Sequence, residues 1–111
     1  MKNEKAAVYN DIRWQKKRAY ILKRDGYKCQ ECARYGRQRN GAHVHHVYPV
    51  EHYPFEAYNN YNLITLCSAC HNKMHDRETH ELTACGKALQ MRMKQRYGSR
   101  LPPLKVFESK K

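Results

Sequence analysis

Long apolar runs are missing from this 111-residue sequence, whose mean hydropathy is −1.02. A membrane-spanning helix needs about 20 consecutive apolar residues, so no span and no membrane partner are expected. The opening Met1-Lys2-Asn3-Glu4-Lys5 is not followed by the apolar segment of a secretory signal. The expected location is therefore the cytoplasm, where thiols stay reduced. Negative charge is scarce as well: 10 Asp+Glu stand against 22 Lys+Arg, a formal net charge of +12. Such a surface attracts polyanions, and nucleic acid is the leading partner; the plainer alternative is a solubilising basic surface. Apolar supply is modest at 41% of residues. A single domain over 1–111 follows from the length, and a core this small often needs a metal or disulfides.

The chain holds five cysteines, four of them in two Cys-x-x-Cys pairs, Cys29/Cys32 and Cys67/Cys70. In a reducing compartment this pattern points to a metal rather than to disulfides. Four thiolates suit a closed tetrahedral zinc site of the structural kind. A thioredoxin-like redox reading is weaker, because no βαβ context surrounds either pair. Residues 33–66 lie between the pairs, more than a simple zinc ribbon holds, so a structural insert is expected there. Cys85 is left over and reads as a small buried apolar residue.

The insert and its flanks divide into short elements. Residues 1–9 are polar and expected to fray. A helix is predicted over about 11–25, capped by Asn10 or Asp11, with Trp14, Ile21 and Leu22 on one face and Asp25-Gly26 as its stop. Cys29-Gln30-Glu31-Cys32 reads as a tight turn. Arg34, Arg37 and Arg39 then occupy an exposed turn and either grip phosphates or are simply solvated. A strand is predicted over 42–48, with Val44, His46 and Tyr48 on one face and His43, His45 and Val47 on the other. A long loop rich in Tyr, Asn and Pro covers 50–61, and a second strand covers 62–66. The second cysteine pair opens a helix that places His71 and His75 on one face at i and i+4. A further helix is predicted over about 82–97, with Leu89 and Met93 inward, Gly86 as a break and Gly98 as a cap; an extended tail follows from Leu101.

His45, His71 and His75 can converge on one divalent ion if that helix packs against the strand. His46 is then adjacent without being a ligand, and can act as a base toward water. Strict alternation sends His45 and His46 to opposite faces, so a bend or bulge in the strand is expected. His43, His52 and His80 read as ordinary surface or core histidines.

Taken together, Cys29-x-x-Cys32, His45-His46-Val47-Tyr48-Pro49, Asn62-Leu63 and Cys67-x-x-Cys70-His71-x-x-x-His75 resemble the HNH endonuclease family. The approach Lys23-Arg24-Asp25-Gly26-Tyr27-Lys28-Cys29 is similar to small phage and bacterial members. The resemblance implies an α+β fold: a small ββα-metal core over about 27–80, flanking N- and C-terminal helices and a four-cysteine zinc site. It implies hydrolysis of DNA phosphodiester bonds, with His46 as general base, Asn62 holding the loop and the base, and His45, His71 and His75 as metal ligands. Many relatives carry Asp where this chain has His45. The all-histidine set resembles the nuclease-colicin branch and leaves Mg2+, Mn2+, Ni2+ and Zn2+ open as the catalytic ion. The likeness further implies a phage or prophage enzyme acting beside a terminase in a bacterial or infected cell, or else a homing or restriction nuclease. The competing readings are a non-catalytic zinc-stapled module that binds nucleic acid and a zinc-stapled protein-interaction domain.

Overall fold

The computed structural model describes Val8 and residues 10–104. The fraying expected of the first residues and the lysine-rich end lie outside that range, apart from Val8. Helix α1 spans Ile12–Arg24, and Asp11 caps it by accepting from the Arg13 amide. Lys23 and Arg24 sit in its last turn, where cations complement the helix dipole. Trp14, Ile21 and Leu22 are its buried residues. The turn after Asp25 uses Gly26 at φ 64, a conformation in which a Cβ is disfavoured. A side-chain strap fixes this end of α1 to the sheet: Asp25 accepts the Thr65 amide, and Arg24 donates to the Asn60 and Leu63 carbonyls.

The first cysteine pair is not a bare turn. Cys29 caps a short helix α2, Gln30–Arg34, and its Sγ accepts from the Cys32 amide at 3.3 Å. Strands β1, His43–His46, and β2, Leu63–Leu66, pair antiparallel in unbroken register from His43↔Leu66 to His46↔Leu63. Both are shorter than the sequence pattern predicts. The reason is Asn62, which is fully buried and takes over the pairing beyond His46. Its carbonyl receives the Val47 amide, its Oδ1 receives the Tyr48 amide, and its Nδ2 donates to the Tyr48 and Glu56 carbonyls. The connecting loop is thereby tied at both ends by one side chain. Asn62→Ala strands an amide and two carbonyls in the interior, and each lost partner costs about 1–3 kcal/mol. Urea unfolding is expected to show a lowered midpoint; coincident curves for wild type and variant would remove this role.

Helix α3 covers Ser68–Asn72 and α4 covers Ala84–Tyr97. Thr83 caps α4 through its hydroxyl, which accepts from Gly86. The predicted break at Gly86 does not occur: the glycine lies in the first turn, where a Cβ would meet the Met74 carbonyl oxygen at 2.5 Å. Close approach, not flexibility, explains it. Cys85, expected to be buried, is exposed, because α4 turns Gly86, Leu89 and Met93 inward instead.

Two apolar clusters flank the hairpin. Trp14, Ile21, Leu22, Val44 and Leu63 join α1 to one face of the sheet. The other cluster gathers the four paired cysteines with Val47, Tyr48, Leu66, Met74, Leu89 and Met93. The start of the supposed tail belongs to it as well: Leu101 is buried, and the Tyr48 hydroxyl donates to the Pro102 carbonyl. No helix among the described residues is long and apolar enough to cross a membrane.

Candidate metal centres

The four Sγ atoms of Cys29, Cys32, Cys67 and Cys70 are buried and lie within 4.8 Å of one another. Cys32 Sγ stands 3.7 Å from Cys70 Sγ and 3.9 Å from Cys67 Sγ. A tetrahedral ion with metal–sulfur bonds of about 2.3 Å has sulfur–sulfur edges of about 3.8 Å. The spacing therefore fits four thiolates around one ion and is far too long for a disulfide. Burial, with the Cys29 and Cys67 thiols adding to it, pushes the Cys70 and Cys32 thiols up. Cys67 is also pushed up by burial, but the Cys70 amide and the surrounding thiols outweigh that and bring it down to about 7. A cation among them relieves this competition for protons by favouring all four thiolates.

The histidines form a separate arrangement on the hairpin and α3. His45, 2% exposed, sits on β1 opposite Ile64. Its ring centroid lies 5.5 Å from that of His71 and 5.6 Å from that of His75, with planes at 76° and 67°. The centroid distances gather the three rings around one small volume, edge-on rather than stacked on His45. Imidazole as a donor suits borderline first-row ions.

The route by which His75 arrives differs from the helical expectation. Helix α3 ends at Asn72, and His75 reaches the site from an isolated bridge to Leu82. Thr83 explains the early stop, because its hydroxyl donates to the Lys73 carbonyl and its amide to the Met74 carbonyl. The Glu78 amide, which a continued helix would direct to Met74, is captured instead by Asp76 Oδ1.

His46 is 5% exposed and stacks on Trp14, with ring centroids 4.9 Å apart and planes at 25°. Its Nε2 lies 3.0 Å from the Ala57 carbonyl oxygen. A carbonyl only accepts, so the neutral ring carries its proton on Nε2 and keeps the lone pair on Nδ1. The bulge expected between His45 and His46 is absent from the pairing. Both nonetheless line one cavity of about 670 Å3, together with Ala42, His43 and Val44, on the edge of β1 that β2 does not pair. A site at a strand edge is reachable from both faces, so alternation does not separate the two rings.

Arg18, Asp76, Arg77 and His80 also line this cavity. Arg18 was missed in the sequence although it stands one helical turn after Trp14 on the same face; its guanidinium donates to the Ala42 carbonyl. His80 carries a positive φ of 64 in the loop that follows His75. The Ala57 carbonyl had no sequence signal, since any residue supplies one. Arg34, Arg37 and Arg39 are not among the residues lining the cavity. Arg34 pairs with Glu31 and lies over the Tyr35 ring, while Arg37 and Arg39 are exposed.

A two-stranded hairpin leading into a short helix, with imidazoles from both beside a buried cysteine cluster, defines a class. Residues 29–77 match the family model described as HNH endonuclease, and that match together with the structural likeness below supports a nuclease, a hydrolase of phosphodiester bonds. Among solved structures, the chain is similar to the HNH endonuclease of the deep-sea thermophilic bacteriophage GVE2, crystallised with a manganese ion. The two share 26% identity over 86% of this chain and 87% of that one, with a TM-score of 0.61. A comparison with curated proteins gives no match.

Proposed function

We propose that this protein is a metal-dependent DNA endonuclease in which His45, His71 and His75 hold the catalytic ion and His46 is the general base. The observation that carries the reading is the shared cavity, where the edge-on trio and His46 meet at the rim of β1. A divalent ion bound there supplies positive charge toward the scissile phosphate and the leaving oxygen. The protein's own contribution is positional. Nδ1 of His46 takes a proton from the attacking water, while the Ala57 carbonyl holds the proton already on Nε2 and Trp14 braces the ring. Asn62 keeps the loop that carries Ala57 in place through the adjacent Glu56 carbonyl. Arg18 and Arg77 bring positive charge to the cavity where a phosphate would enter.

The polyanion is DNA on this reading, and the net charge of +12 favours it; Arg34, Arg37 and Arg39 are candidates for contacts away from the cut. Zinc is the ion we assign to the cysteine cluster, because four thiolates close a tetrahedron and leave no open position. Manganese is our first candidate for the histidine centre, by analogy with the ion in the bacteriophage enzyme. The same analogy supports a phage or prophage role in genome packaging beside a terminase, as a single domain working in the cytoplasm of an infected or lysogenic cell. The test is supercoiled plasmid incubated with Mn2+, Mg2+, Ni2+ or Zn2+, against a chelated control. Nicked or linear product that appears only with added ion is expected. Intact plasmid under all four ions, from protein that is folded and zinc-loaded, would leave a charged binding module.

A further inference from the structure

We infer that His43 is a positioning residue that fixes the ring of His71 and ties the histidine centre to the cysteine cluster. His43 is the first residue of β1 and is exposed at the strand start. Its ring lies flat against His71, with centroids 4.8 Å apart and planes within 10°. Its Nε2 is 3.1 Å from Ser68 Oγ. Ser68 begins α3 between Cys67 and Cys70, and His71 follows directly on the same helix. One side chain thus touches the segment that carries two cysteines and a ring of the imidazole trio.

The geometry separates this role from that of a fourth ligand. A ring stacked face to face presents its π surface to its neighbour, and its lone pairs point elsewhere in its own plane. Nε2 of His43 is also engaged by Ser68. The stack nevertheless restricts what His71 can do. Rotation of an imidazole about its terminal torsion is broad and weakly restrained. His71 is only half-buried, so packing alone confines it less than His45. His43 covers one face of that ring, and His45 meets it edge-on at 5.5 Å. The sheet register supplies the lever: His43 pairs with Leu66, the residue before Cys67, so the strand, the cysteine knuckle and the His71 ring are held as one unit.

Outer partners that hold a ligand in place commonly alter metal affinity by about 10–100-fold. The inference rests on the reading that His45, His71 and His75 hold a divalent ion, and the experiment separates the two. Mn2+ is titrated by calorimetry into zinc-loaded wild type, His43→Ala, His43→Phe and Ser68→Ala, with zinc content and thermal midpoint measured on each. The expected result is a Kd for Mn2+ raised about tenfold in His43→Ala. His43→Phe and Ser68→Ala, which each keep a stacked ring but lose the bond between positions 43 and 68, should both fall between wild type and His43→Ala; zinc content should hold throughout. Absence of Mn2+ binding by wild type would remove the metal reading itself. Wild-type binding matched by His43→Ala would remove only the role of His43. Binding by His43→Phe as weak as that of His43→Ala would overturn the stacking argument. Loss of zinc from His43→Ala together with the weaker Mn2+ binding would assign the residue to folding and overturn the proposal as well.

Discussion

His46→Ala is expected to lower plasmid cleavage by about 10²–10⁴-fold, the range typical of a lost general base. Three features of the wild-type ring underlie the expectation. It borders the cavity beside the His45, His71 and His75 trio. Its Nε2 proton is committed to the Ala57 carbonyl, which leaves Nδ1 as the basic atom. Trp14 stacks on it and limits rotation away from that bond. Removing a 5% exposed imidazole also leaves a void against Trp14, so folding has to be read separately. The thermal midpoint and Mn2+ binding of the variant supply that reading, since neither depends on proton transfer. A variant that stays folded, binds Mn2+ and cuts plasmid as fast as wild type would end the assignment of His46 as base.

Stripping the cysteine cluster is expected to unfold the protein. Metal binding by four thiolates is worth on the order of 10 kcal/mol in small zinc peptides. Whole-domain stabilities are about 5–15 kcal/mol, so an ion held there would contribute an amount comparable with the entire margin. The structure shows what such an ion would hold together. The cysteines are themselves part of the apolar cluster that holds Tyr48, Leu66, Met74 and Leu89 together. They join α2 to the segment that starts α3, across a two-stranded sheet too small to be stable alone. Cys67→Ala should therefore express as poorly folded protein, and a strong chelator should abolish the cooperative melt of the wild type. Metal analysis is expected to give one tightly held zinc per chain. A zinc-free Cys67→Ala protein with a wild-type melting curve would show that the cluster is not a staple.

The two largest expected effects fall on different parts of the molecule, and the sequence was informative about each for different reasons. The cysteine cluster was legible because ligand identity and local spacing are properties of the chain itself: Cys-x-x-Cys brings two sulfurs together wherever it occurs. Helices α1 and α4 were legible from their buried residues at helical spacing, Trp14, Ile21 and Leu22 in one and Leu89 and Met93 in the other. The strand ends were less so. Residues 47 and 48 carry strand-like side chains, but their amides are claimed by Asn62 from the far end of the loop. Helix α3 looked longer than it is because Thr83, across the bridge between His75 and Leu82, takes the carbonyls of residues 73 and 74.

The four histidines at 45, 46, 71 and 75 were singled out by residue type and order together with the resemblance to the HNH family, which set them apart from His43, His52 and His80. How they meet was decided only on folding. His75 arrives from a bridge rather than a helix face, and His45 and His46 share a cavity because it opens along a strand edge. Arg18, His80 and the Ala57 carbonyl join them from three other segments, and His43 turns from a bystander into a stacked neighbour of His71. Periodicity and ligand spacing act over a few residues and are written into the chain. Which distant backbone group captures a given amide or imidazole depends on long-range closure, and that is settled only when the loop, the knuckles and the helices pack together.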